Sequence, residues 1–314
     1  MTRRRETPTP VQGAEERRQP GTDRRDDAAR RKVEMVLDRF FRPARWAARS
    51  SYAVGLQSAR PVSVRQHVIR TTRPAGVPAL RIAFASDFHA GATTDPRVLR
   101  AACIALDALE PDVLLLGGDF VSVRGRDIHE LAPLLAAVRA PLGKFGVFGN
   151  HDLRANRPEL ESALVAAGVR MLVNESVRLP APHADVTISG FDDPIRGAPD
   201  AAILDDAAGE ARVLLMHAPD GLLAAGERQF DVAMCGHTHG GQVVMPGGSM
   251  PYLPHGALSR TYPAGEYVLA PDGERSLIVS RGVGCSTIPV RLLCAAEVHL
   301  IELRGQVDEG HDGQ

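Results

Sequence analysis

LRIAFASDFH, Leu80–His89, is a nearly continuous apolar run that stops at Asp87 and His89. An apolar segment of this length, closed by polar residues, reads as a strand buried on both faces, as in a sheet covered by helices. The same pattern recurs in VLLLGGD (Val113–Asp119), FGVFGNHD (Phe145–Asp152), VLLMH (Val213–His217) and VAMCGHTH (Val232–His239). Each run ends in acidic, amide or imidazole side chains. In open α/β sheets ligands bind beyond the carboxyl ends of strands, so these five clusters are expected to converge on one site. A lone D-x-H or G-H-x-H is a weak signal, and His217 taken singly reads as an ordinary turn residue. Their occurrence in this order, each after a strand, gives the signal its weight.

Working outward, further strands are expected at Val62–Arg70, Val186–Gly190, Ser276–Ser280 and Glu297–Leu303, with His299 on a solvated face of the last. Helices are expected over Asp95–Leu109, Asp127–Arg139 and Pro158–Ala167; Asp95 is a good N-cap. A chain of 314 residues, 44% hydrophobic and 24% charged, has enough material for one large α/β domain, expected over 61–305. Gly117, Gly118, Gly149 and Gly236 let the loops turn sharply beside the clusters.

The charge is divided unevenly. Residues 1–60 hold 15 Lys/Arg against 8 Asp/Glu, whereas the remainder holds 22 against 30. Residues 1–28 are polar and charged, too poor in apolar side chains to offset the entropy of ordering, and read as a disordered basic tail; 306–314 read as a disordered C-terminal tail. Residues 29–49 place Val33, Val36, Leu37, Phe40, Phe41 and Ala44 at helical spacing among arginines, with Trp46 beside the apolar side and Pro43 as a kink or stop. Such a basic amphipathic helix, followed by a linker to residue 60, fits an anionic membrane surface or docking on the protein's own body. The acidic body, with its single Trp, offers no groove of stacked aromatics for nucleic acid. Cys103, Cys235, Cys285 and Cys294 have no metal-finger or disulfide-framework spacing and fit a reducing compartment. No apolar run spans a bilayer, and the N-terminal arginines lack the apolar core of a signal peptide, so a cytoplasmic protein, peripheral on the inner face of the membrane, is expected.

The set DFH, GGD, GNHD, His217 and GHTH resembles the calcineurin-like metallophosphoesterase family over roughly residues 80–303. GGQ (Gly240 to Gln242), VSRGVG (Val279 to Gly284) and IPVR (Ile288 to Arg291) are similar to a bacterial, often envelope-associated branch that includes phosphodiesterases and UDP-2,3-diacylglucosamine pyrophosphatases. The resemblance implies a four-layer α/β/β/α sandwich of two mixed β-sheets flanked by helices. It also implies two divalent metal ions: Asp87, His89 and His239 around the first, Asn150, His217 and His237 around the second, and Asp119 bridging. His151 is implied as the proton donor to the leaving group, and Asp152 is placed to orient it. Ser122 and Val123 depart from relatives that carry an acidic residue there, and CAAE (Cys294–Glu297) replaces a common Pro-Glu; neither position is a ligand in the family.

Two metals side by side clamp the attacking and leaving oxygens of an in-line displacement and acidify water between them. Imidazole, carboxylate and amide without thiolate suit Mn, Fe or Zn, with Mn(II) the expected best activator. The expected substrate is a phosphodiester or diphosphate, lipid-linked if the basic helix meets a membrane. A soluble general or cyclic-nucleotide phosphodiesterase and a non-catalytic metal-binding scaffold are the alternatives, and His151 argues against the scaffold because a scaffold needs no proton donor. Arg281 and Arg291 match a phosphate fork or an ordinary salt bridge equally well.

Overall fold

Alternation along the buried strands decides the layering. In β2 (Leu80–Ala85), Ile82 and Phe84 point one way and Ala83 and Ala85 the other, and all four are fully buried. The computed structural model describes residues 43–57, 62–74, 76–205, 209–269 and 275–305. One six-stranded sheet runs in the order β1 (Ser63–Thr71), β12 (Glu297–Gly305), β2, β3 (Val113–Leu116), β4 (Lys144–Gly146), β5 (Val169–Met171). It is parallel except where β12 meets β2. The other six-stranded sheet runs β10 (Gly265–Val268), β11 (Ser276–Val279), β9 (Val232–Cys235), β8 (Ala211–Leu215), β7 (Val186–Gly190), β6 (Glu175–Arg178), with antiparallel pairs at both edges.

Between the sheets, Ile82, Phe84, Val113, Leu115 and Ile301 pack against Ile188, Val213, Leu215, Met234 and Ile278. The first sheet's outer face carries Ala83, Leu114 and Leu300 against α2 (Pro96–Ala108), α3 (Ile128–Ala137) and α4 (Arg157–Ala166). The second sheet's outer face packs Leu214, Ala233 and Leu277 against the short α5 (Ala202–Asp205) and α6 (Gly221–Ala225). The four-layer α/β/β/α sandwich is therefore present, with both sheets mixed. As the sequence indicates, Asp95 caps α2, accepting the Arg97 amide at 2.9 Å, and Pro96 opens the helix.

Residues 43–53 form a helix, α1, whose inner side belongs to the body. Ala48 and Ser51 are buried, Ser51 Oγ donates to the Pro289 carbonyl, and the Tyr52 ring lies 3.9 Å under the Arg97 guanidinium. Arg45 reaches Asp127 at 2.9 Å and Glu130 at 2.8 Å. Trp46, read with the apolar side of this segment, is 72% exposed. The expectations for residues 1–28, 29–42 and 306–314 fall outside the described residues. No helix among the described residues is long and apolar enough to cross a membrane. Arg45→Ala is expected to lower unfolding free energy by about 1 kcal/mol in urea titration, since it removes one cation from two carboxylates. An unchanged midpoint would mean that these ion pairs do not hold α1 to the body.

His299 is the main correction to the strand reading. It is 1% exposed rather than solvated, because it shares a face of β12 with Ile301 and Leu303; that face packs between the two sheets and sets the His299 ring against Phe84. Its ring stacks on His67 of β1, Nδ1 to Nε2 at 3.1 Å, and His67 Nδ1 in turn lies 2.7 Å from Glu266 of β10.

Candidate metal centre

Every candidate ligand stands just beyond the carboxyl end of a parallel strand: Asp87 and His89 after β2, Asp119 after β3, Asn150 after β4, His217 after β8, His237 and His239 after β9. The backbone turns so tightly there that five of these seven, Asp87, His89, Asp119, His237 and His239, adopt φ between 45° and 70°. Non-glycine residues in the left-handed region cost on the order of 1–3 kcal/mol each, and such strain collects at functional sites. All seven side chains are buried.

Their polar atoms converge. His89 Nε2 is 3.0 Å from His239 Nε2, which is 3.4 Å from Asp87 Oδ1. Asn150 Oδ1 lies 3.2 Å from His217 Nε2 and 3.0 Å from His237 Nδ1. Between these two groups stands Asp119, whose Oδ2 is 3.4 Å from both His89 Nε2 and His217 Nε2. Its other oxygen, Oδ1, accepts the His151 amide at 2.8 Å. Outward-facing ring nitrogens are anchored: His217 Nδ1 faces the Gly117 carbonyl at 2.8 Å and His237 Nε2 the His255 carbonyl at 3.0 Å. On a neutral ring these bonds place the proton outside and the lone pair inside, the arrangement metal-binding histidines need.

Electrostatics point the same way. Burial holds His89 down at about 3 and His237 at about 4, and holds His239 well below its ordinary value, so all three imidazoles are neutral. Burial pushes the Asp87 carboxyl up to about 6 despite the pull of His217. Burial also opposes ionisation at Asp119, yet His217, His89 and His151 hold it well below the carboxylate range. His217, against its own burial, is kept charged by Asp119, Asp193 and Asp87. Two carboxylates and four imidazoles crowded out of water form a donor set that cations would satisfy.

A family model described as calcineurin-like phosphoesterase matches residues 80–241, which include all seven residues. The chain belongs to the calcineurin-like phosphoesterase family. It is 32% identical to the phosphodiesterase YaeI of Escherichia coli over 71% of this chain and 82% of that protein. It is 27% identical to the uncharacterized metallophosphoesterase YkuE of Bacillus subtilis over 77% of this chain and 86% of that one. The crystal structure of TT1561 from Thermus thermophilus aligns with a TM-score of 0.44 at 11% identity, covering 66% of this chain and 91% of that one. The protein is accordingly a metal-dependent phosphoric ester hydrolase.

In this phosphoesterase, one role read from the sequence is corrected. Asp152 does not orient the His151 ring; its carboxylate accepts the Gly149 amide at 2.9 Å and the Val121 amide at 3.2 Å, tying the loops after β3 and β4 together. His151 Nδ1 instead lies 2.6 Å from the Ser122 carbonyl. The reason is reach: the short helical turn that starts at Asp152 directs this side chain back into the body.

The roles of three further residues escaped the sequence reading. Asp193, fully buried after β7, adds negative charge near His217, and its FDDP context gave no motif for it. The carbonyl of Ser122, rather than its side chain, meets His151, and a backbone contact leaves no trace in residue identity. Arg291 is buried, donates to the Gly284 and Arg281 carbonyls, and lies 3.4 Å from His239 Nδ1. It therefore fits neither the phosphate fork nor the salt bridge. Arg281, the other arginine, is 4.0 Å from Glu297. The cysteines are buried and free, with Cys103 pushed up to about 12 and Cys285 to about 11 by burial, so neither supplies a thiolate.

Space is as restrictive as charge. A Cβ on Gly236 would stand 2.0 Å from Asp87 Oδ2, and one on Gly149 would stand 2.3 Å from Asp119 Oδ1. Gly236→Ala is therefore expected to displace Asp87 and lose metal affinity or activity by roughly 10–100-fold, as disturbed ligand supports do. Wild-type metal content and rate in that variant would contradict the packing.

Proposed function

We propose that this protein hydrolyses a phosphodiester or diphosphate at a dinuclear centre, with Asp87, His89 and His239 around one ion, Asn150, His217 and His237 around the other, and Asp119 between them. The observation that carries the proposal is the position of Asp119 Oδ2, 3.4 Å from a histidine of each group. When bound, the two cations supply the positive charge that acidifies water and neutralises phosphoryl oxygens. His217 would yield to a cation the proton that its ring otherwise carries, so the bound ligand set would contribute only the charges of Asp87 and Asp119 and leave a net positive site for an anionic ester.

His151 is half-buried and packs edge-on against His89, ring centroids 4.8 Å apart, and a ligand atom of its ring lies within 4.8 Å of those of His89 and Asp119. We assign it to neither metal group because its Nδ1 is bonded to the Ser122 carbonyl. His151 Nδ1–H donates to the Ser122 carbonyl, which fixes the ring. As the imidazolium, His151 would give its Nε2 proton to the departing oxygen and be left neutral, with its remaining proton on Nδ1. Asp152 acts on this geometry indirectly, by holding the loop that carries Asn150 and His151.

Manganese is the metal we favour, on the oxygen and imidazole character of the ligands. A lipid-linked substrate of the UDP-diacylglucosamine kind, a cytoplasmic location, and contact of the basic stretch before residue 43 with an anionic surface belong to the same proposal; the amphipathic pattern of that stretch supports them. The test is a hydrolysis screen of Mn-loaded protein over phosphomonoesters, diesters and nucleotide-sugar diphosphates. Turnover of a diester or diphosphate above that of monoesters is expected. A preference for monoesters would contradict the proposal.

A further inference from the structure

Directly beside the candidate centre the surface opens into a cavity of about 360 Å³ lined by Val243, Pro251, Tyr252, Pro254 and Ile288. His239 and Thr238 line it too, so one wall is shared with the ligand cluster. No lysine, arginine, aspartate or glutamate contributes to the lining. Its size lies at the low end of small-molecule sites. Tyr252 is 63% and Ile288 48% exposed, large apolar side chains left facing solvent at the edge of a polar centre.

The cavity is built by the fold. Gln242 is buried at φ 56°, three residues after His239. Its amide donates to the carbonyls of Ile288 at 2.7 Å and Val290 at 2.9 Å, and its oxygen accepts the Ser286 amide at 2.9 Å. Val243 pairs with Leu292 in an isolated parallel bridge, and the Val244 amide donates to the Leu292 carbonyl at 2.9 Å. On the opposite side Gly241 lies so close to Met250 and the Tyr252 carbonyl that a Cβ would come within 2.9 Å of the former and 3.2 Å of the latter. The segment that supplies His237 and His239 thus also fixes both apolar walls.

We infer that this cavity is a substrate subsite for an apolar alkyl or aryl group esterified to the phosphate that the metal centre holds. The inference rests on the hydrolase reading and narrows it. A second phosphate, as in a diphosphate, would find no cation in this cavity, whereas a hydrocarbon arm would cover Tyr252 and Ile288 and leave the phosphoryl end at His239. Gln242 is a positioning residue here: its amide is occupied by the Ile288, Val290 and Ser286 backbone, and so holds the wall.

Binding of n-alkylphosphonates to the Mn-loaded protein, measured by calorimetry, separates the two readings because each ligand has one phosphoryl group and one arm. From methyl- to butylphosphonate the Kd is expected to fall by roughly 10–60-fold, given about fourfold per fully buried methylene. In Ile288→Asp and in Tyr252→Ser the butyl-to-methyl ratio, taken within each protein so that the active fraction cancels, is expected to shrink severalfold. Equal Kd values for the two ligands in the wild type, or an undiminished ratio in both variants, would overturn the subsite while leaving the hydrolase reading intact. Failure of methylphosphonate and inorganic phosphate alike to bind would overturn the hydrolase reading and the subsite with it.

Discussion

Asp119→Asn is expected to yield a protein with fewer than two bound metal ions per chain and turnover lower by at least on the order of 10²–10³, the scale of losing a preorganised charge in a buried site. The change is nearly isosteric, so its effect is one of charge and atom placement. Asp119 Oδ1 accepts the His151 amide at 2.8 Å, and an asparagine would keep its oxygen there. Its NH2 group would then take the place of Oδ2, the atom 3.4 Å from both His89 and His217, and point hydrogens where lone pairs converge. The variant also leaves the charged, buried His217 without its nearest carboxylate, which costs stability. Metal content should therefore be measured per folded chain after size-exclusion purification. Two ions per chain with an unaltered rate would show that Asp119 is not the bridge.

His151→Ala is the second large effect. The substitution removes an imidazole that belongs to neither ligand group in the proposed assignment, while the backbone N–H that bonds Asp119 stays in place. Metal content should be that of the wild type. Turnover should drop on the order of 10²–10⁴, the usual contribution of a positioned proton donor. The loss should be larger for an alkyl leaving group than for p-nitrophenolate, which departs without a proton. Equal losses for the two esters would remove the proton-donor role, and loss of metal would make His151 a ligand.

The layered fold was legible where strands are buried on both faces. β2, β3, β9 and β11 are short runs of almost unbroken burial and stand out by composition alone. Edge strands β6 and β10 were not legible, because they are mostly exposed and alternate weakly, and β5 is a three-residue strand whose middle residue faces water. The candidate ligands could be read because polar residues that close an apolar run have little other reason to be there. What supports them could not. Arg291 reaches His239 across 52 positions, Ser122 serves His151 through a carbonyl, and Gln242 braces a loop more than forty residues away. The error on Asp152 came from adjacency: neighbouring residues on a tight turn point apart, so the carboxylate next to His151 in sequence is bound elsewhere in space.

The central claim, two metals joined by Asp119 and both required for ester hydrolysis, is tested most directly by titrating metal-free protein with Mn(II). Bound metal and hydrolysis of bis-p-nitrophenyl phosphate are followed in the same samples. A dinuclear centre predicts that most of the activity appears with the second equivalent and levels off at two ions per chain. Full activity at one equivalent, or hydrolysis without added metal in the presence of chelator, would contradict it.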